Sequence, residues 1–101
     1  MADETPWYAR HSPELGKAFQ NFYQTCNEKS VLDDKTRELL MLALACAFRC
    51  PHCTEEHIQK AQEEGASKQE VAEALMLASL EGAGTQLYWA KDIYEEHLGN
   101  D

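Results

Sequence analysis

The chain has 101 residues, a length that makes one domain, with 44% hydrophobic and 27% charged residues, the composition of a globular protein. Eighteen Asp and Glu against nine Lys and Arg give a net charge of −9, and no basic stripe interrupts that balance, which excludes nucleic acid and anionic membrane as expected partners. The longest apolar run, Leu39 to Phe48, is ten residues, about half of a membrane span. Residues Met1 to Trp7 have neither the basic nor the apolar region of a signal peptide, so a cytoplasmic location is expected. In that compartment the four cysteines point to redox chemistry, metal binding or buried thiols rather than to a structural disulfide framework.

Residues 1–11 read as an N-terminal arm, and residues 12–101 as one helical domain. Ser12-Pro13 supplies an N-cap and a first-turn proline. Leu15, Phe19, Phe22, Tyr23 and Cys26 then mark one apolar face, predicting a first helix over Pro13–Glu28. Asp33 or Asp34 caps a second helix, whose run Leu39–Phe48 is apolar all round and must be covered by the domain centre or by another subunit. Pro51 stops that helix near Arg49 and opens a third, over Pro51–Glu64, which Gly65 ends. The third helix is mostly polar, and its uncharged line of Cys50, Cys53, His57 and Ala61 is expected to face inward. Ser67 and Glu70 form a capping box for a fourth helix, which Gly82-Ala83-Gly84 breaks, and Thr85 caps a fifth. No segment alternates with period two, so the fold class is all-α with five helices.

The chemistry concentrates in Arg49-Cys50-Pro51-His52-Cys53-Thr54-Glu55-Glu56-His57. Cysteines three apart at the start of a helix lie within disulfide range, and the helix N-terminus with Arg49 nearby lowers a thiol pKa. His57 lies one turn beyond Cys53 on the same face and can serve it as a base or proton relay. Glu38 is twelve residues from Cys50, roughly 18 Å along a single helix, so it reaches the site only if the two helices fold back on each other, acting through a water, or from a second subunit. Zinc is the rival reading, with Cys50, Cys53 and His57 as ligands and His52 or another residue as the fourth, although no second knuckle is present. Haem attachment would need histidine at position 54, which is threonine. Cys26 and Cys46 lie on apolar helix faces and are expected to be buried, inert thiols; His11 and His97 read as surface histidines.

Taken together, Glu38, Cys50, Cys53 and His57, with the string Cys50-Pro51-His52-Cys53-Thr54-Glu55-Glu56-His57, resemble the signature of the alkylhydroperoxidase D-like branch of the carboxymuconolactone decarboxylase superfamily, in a small single-repeat form. The resemblance extends from about Ser12 to Leu98. It implies an all-helical subunit that assembles into trimers or hexamers, and an antioxidant peroxidase or thiol–disulfide oxidoreductase of peroxiredoxin type. By the same resemblance Cys53 attacks a hydroperoxide or disulfide and passes through a sulfenic acid, and Cys50 closes the Cys50–Cys53 disulfide. His57 and Glu38 shuttle protons through water, and His52 matches a histidine found between the cysteines in some members. No bound cofactor or metal is implied; the reductant is an external dithiol or a redox partner protein. The alternatives are a lactone decarboxylase, like the family's namesake, and a non-enzymatic zinc-binding or structural oligomer.

Overall fold

The computed structural model describes residues 4–101; the first three residues of the expected arm lie outside the described residues. Five helices are present among the described residues: α1 (Trp7–His11), α2 (Pro13–Glu28), α3 (Asp34–Ala47), α4 (Pro51–Glu63) and α5 (Lys68–Leu98), with no strand. The number matches the expectation, but the partition does not. The expected arm contains α1, and the expected fourth and fifth helices are one continuous helix of 31 residues. The redox motif therefore opens the fourth helix in the chain rather than the third.

The chain divides into two compact units, one ending at Asp33 and the other Asp34–Asp101. In the first, α1 packs on α2 through the buried Ala9 and Gly16, where a Cβ on residue 16 would lie 2.5 Å from that of Ala9. Only glycine permits this approach. Tyr8 stacks edge-on against Phe19. Ser12 precedes Pro13 as expected, but its side chain makes no capping bond. Beyond the reach of α1, the apolar face of α2 is open, and Cys26 is exposed rather than buried as expected.

The second unit carries the site. Its α3 buries Glu38, Leu42 and Ala45, a line of one residue per turn, and packs on both α4 and α5. Facing it are His57 and Ala61 of α4 and Ala74 of α5. Leu42 and Ala61 are wholly excluded from solvent. The all-round apolar run of α3 is only partly covered: Leu40, Leu44 and Phe48 stay about half exposed or more.

Helix ends follow local chemistry. The predicted capping box is present, Glu70 N–H donating to Ser67 Oγ at 3.0 Å and Ser67 N–H to Glu70 Oε1 at 2.9 Å. Lys35 of α3 also reaches Glu70, at 2.9 Å, tying α5 to α3. The Ser67 amide and then the Lys35 ammonium hold the Glu70 carboxyl below the usual carboxylate range. Gly82-Ala83-Gly84 does not break α5, because both glycines take helical dihedrals; the positive-φ glycines are Gly65 and Gly99. Thr85 donates its hydroxyl to Glu81 C=O within the helix instead of capping a new one.

Candidate redox site

Two matching turns end α3 and α4, and the one after α3 leads into the site. In each, a helix ends with a six-residue motif in which the sixth N–H bonds the first carbonyl and the fifth N–H bonds the second. At the end of α4, Ala66 N–H donates to Ala61 C=O and Gly65 N–H to Gln62 C=O. At the end of α3, Cys50 N–H donates to Ala45 C=O and Arg49 N–H to Cys46 C=O. The fifth residue must adopt a left-handed conformation. Gly65 does so with φ 89°, and Arg49 does so with φ 62°. A side-chain-bearing residue there costs about 1–2 kcal/mol relative to glycine.

This turn delivers Cys50 as the N-cap of α4, with Pro51 at the first helical position. Cys50 and Cys53 are joined in a disulfide, their Cα atoms 5.3 Å apart. Cys50 Sγ accepts from Cys53 N–H at 3.1 Å, so sulfur fills the role usually taken by a capping oxygen. Thr54 Oγ1 donates to Cys50 C=O at 2.8 Å and clamps the same turn. In the sequence Thr54 belongs to the motif string and excludes haem attachment, with no structural role assigned to it. Its hydroxyl, four residues after Cys50, is the signal that could have assigned it this role.

His57 and Glu38 meet directly. Imidazole Nδ1 and carboxylate Oε2 are 2.7 Å apart, and both residues are buried. The expectation of a bridging water is thus corrected: α3 and α4 pack closely enough through Leu42, Ala61 and their neighbours to make the contact direct, within one chain. A carboxylate oxygen accepts, so Nδ1 carries the hydrogen and Nε2 is the nitrogen free to exchange a proton. His57 sits one turn from Cys53 on α4. The inward line expected of α4 is observed, with His57 and Ala61 buried and both cysteines half-buried. His52 is exposed. The Lys60 hydrogen bond, with smaller contributions from His57 and His52, holds the Glu56 carboxyl below the usual carboxylate range.

On the other side of the disulfide, Cys50 borders an open groove of about 520 Å³ lined by Cys46, Arg49, Thr54, Glu55 and Ile58 among others. Cys53 and His57 are not among its walls. Cys46, expected to be buried and inert, is half-buried and faces this groove, because α3 ends beside it. Among the described residues no group of three or more His, Cys, Asp or Glu is gathered to hold a metal ion. Among the described residues no helix is long and apolar enough to cross a membrane.

Comparison with known proteins places this geometry. The sequence profile of the Carboxymuconolactone decarboxylase family matches residues 13–96. The chain belongs to that family. Among similar solved structures, a Methanobacterium thermoautotrophicum protein superposes with a TM-score of 0.80 at 31% identity, over 86% of this chain and 98% of that one. An uncharacterized protein encoded in the cox locus of Paracoccus denitrificans is 30% identical over 76 residues, 75% of this chain and 68% of that protein. An uncharacterized protein of Haemophilus influenzae is 43% identical over 49 residues, 48% of this chain and 43% of its own length. The superfamily resemblance carried by the cysteine motif and the family match therefore agree.

Proposed function

We propose that this family member is a thiol-dependent oxidoreductase, an alkylhydroperoxidase-like peroxidase or disulfide reductase that cycles the Cys50–Cys53 pair. The observation that carries the reading is the juxtaposition of a Cys50–Cys53 disulfide at the N-terminus of α4 with His57 one turn further on, buried against Glu38 of α3. Free N–H groups at the start of α4 stabilise a thiolate. His57, oriented by Glu38 through Nδ1, takes a proton from the Cys53 thiol or returns one through Nε2. In the peroxidase direction the Cys53 thiolate attacks the terminal peroxide oxygen, the O–O bond breaks, and an alcohol leaves with a proton. Cys53 is then a sulfenic acid. Cys50 attacks it, water leaves, and the disulfide closes. An external dithiol or redox partner returns both sulfurs to thiols. His52 has the smallest part in this scheme, as an exposed proton donor near the motif.

Leu44 of α3, Phe48 just beyond it, and Leu77, Leu80, Leu87 and Trp89 of α5 are all more than half exposed. An apolar surface of this extent favours assembly of like subunits, a trimer or hexamer, over a solitary chain. The cytoplasm, where thiol reductants recycle such a pair, is the compartment that fits.

The test is the mass of reduced, metal-free protein after brief exposure to an organic hydroperoxide, with mapping of the cysteine peptides. The reading requires rapid formation of the Cys50–Cys53 disulfide, lost in Cys53→Ser and slowed in His57→Ala or Glu38→Gln. Thiols that oxidise no faster than free cysteine would end it. The family's name supports a second reading, decarboxylation of a lactone, which needs no cysteine pair. Full lactone turnover by Cys53→Ser would select that chemistry.

A further inference from the structure

The two sulfurs of the disulfide have different surroundings. Cys53 is one turn from His57, whereas Cys50 borders the groove. Two oppositely charged side chains, Arg49 and Glu55, line that groove together with Cys46, Pro51 and Ile58. On the same helix Glu56 is paired with Lys60. Arg49 and Glu55 form no ion pair among the described residues. Arg49 also occupies the left-handed position that Gly65 fills in the matching turn of α4. An arginine held at backbone cost in the residue before a reactive sulfur is explained by what its side chain does in the groove.

We infer that the groove is the entry site of the exchanging thiol, that Cys50 is the sulfur it attacks, and that Arg49 and Glu55 select a small zwitterionic thiol of the amino-acid or peptide class. The groove volume suits a ligand of this size. Its carboxylate faces the guanidinium and its ammonium faces Glu55, with the aliphatic part of the ligand against Pro51 and Ile58. The inference rests on the redox reading above and adds direction to it. A thiol RSH loses its proton to His57 Nε2 and attacks Cys50 Sγ as RS⁻, the Cys50–Cys53 bond breaks, and Cys53 leaves as a thiolate that takes that proton back from His57. A second RS⁻ attacks the sulfur of the bound RS group, which leaves as the disulfide RSSR, and the Cys50 thiolate is released and protonated. Two thiols are oxidised and one enzyme disulfide is reduced, two electrons in each direction.

The experiment measures the rate at which four thiols reduce the oxidised full-length protein: cysteine (zwitterion), 3-mercaptopropionate (anion), cysteamine (cation) and 2-mercaptoethanol (neutral). Each rate is divided by that of the same thiol with a short Cys-Pro-His-Cys disulfide peptide, which removes differences in intrinsic thiol reactivity. Cysteine is expected to show the largest ratio. Arg49→Gln should slow the anion by about threefold to fivefold, the effect of one exposed ion pair, and leave the cation unchanged; Glu55→Gln should do the reverse. In Cys53→Ser, cystine should form a mixed disulfide on Cys50 faster than it does on Cys53 in Cys50→Ser, as read by peptide mapping. Fast reduction that is blind to charge, or adducts that favour Cys53, would overturn the inference and leave the redox reading standing. Reduction no faster than the peptide for every thiol would overturn both.

Discussion

The His57–Glu38 pair makes an asymmetric prediction about stability. Glu38 is 4% exposed and His57 8%, with 2.7 Å between Nδ1 and Oε2. His57→Ala leaves the carboxylate in place, excluded from water and without its partner. Removing one member of such a pair costs about 3–5 kcal/mol, a large share of the 5–15 kcal/mol typical of a whole domain. Glu38→Gln keeps an acceptor oxygen where the carboxylate was, so the Nδ1–H bond survives and only its charge assistance goes, about 1 kcal/mol. Urea titrations of the two variants and their double mutant, followed by circular dichroism, provide the comparison. Repeating them at several protein concentrations separates subunit dissociation from unfolding. The double mutant should cost much less than the sum of the singles, because the amide has no charge to strand. If His57→Ala costs no more than Glu38→Gln, the contact is incidental and the argument that Glu38 orients the imidazole fails with it.

Three further outcomes are expected. Arg49→Gly should leave the fold intact and raise the urea midpoint: relief of about 1–2 kcal/mol of left-handed strain exceeds the about 0.5–1 kcal/mol of extra freedom glycine brings to the unfolded chain. Gly82→Ala places its Cβ in open space inside α5, and measured by thermal melting it should stabilise the chain by up to about 1 kcal/mol; a loss would mean that the helix is broken there after all. Glu70 has a depressed folded pKa, so its ionic contribution is complete above the unfolded carboxylate value and disappears as pH falls through the folded one. The stability difference between wild type and Glu70→Gln should accordingly be constant near neutrality and shrink in acid, by denaturant titration across pH.

Much of this was legible in local sequence. Helix starts rest on a few side chains acting on their own backbone, which is why Pro13, Pro51 and the Ser67–Glu70 box place α2, α4 and the start of α5. Cysteine spacing likewise predicts disulfide reach across one turn. Less legible were features decided by distance. Glu38 and His57 are nineteen residues apart, and whether water fits between them depends on how closely α3 packs on α4. The Gly82-Ala83-Gly84 segment failed as a break because glycine permits a turn without requiring one, and nothing nearby compels the chain to bend. Cys26 and Cys46 were misjudged for a related reason. An apolar helix face tells that something should cover it, not that the same unit does. Arg49 carries no sequence mark of its left-handed backbone, since the residue usually signalling that conformation is glycine.

The disulfide has a consequence in chain statistics. It closes a loop with a sequence separation of only three, so by loop-closure entropy it contributes about 2 kcal/mol or less, against about 3 kcal/mol for a fifteen-residue loop. The remaining contacts around it, the Ala45 carbonyl bond, the Thr54 clamp and the His57–Glu38 pair, hold the helix start whether the sulfurs are joined or apart. Opening the bond thus releases about 2 kcal/mol or less of constraint on the unfolded chain and leaves these contacts in place at the helix start. The short loop keeps the cost of each opening and closing small beside the cost of closing a long one, which suits a bond that turns over.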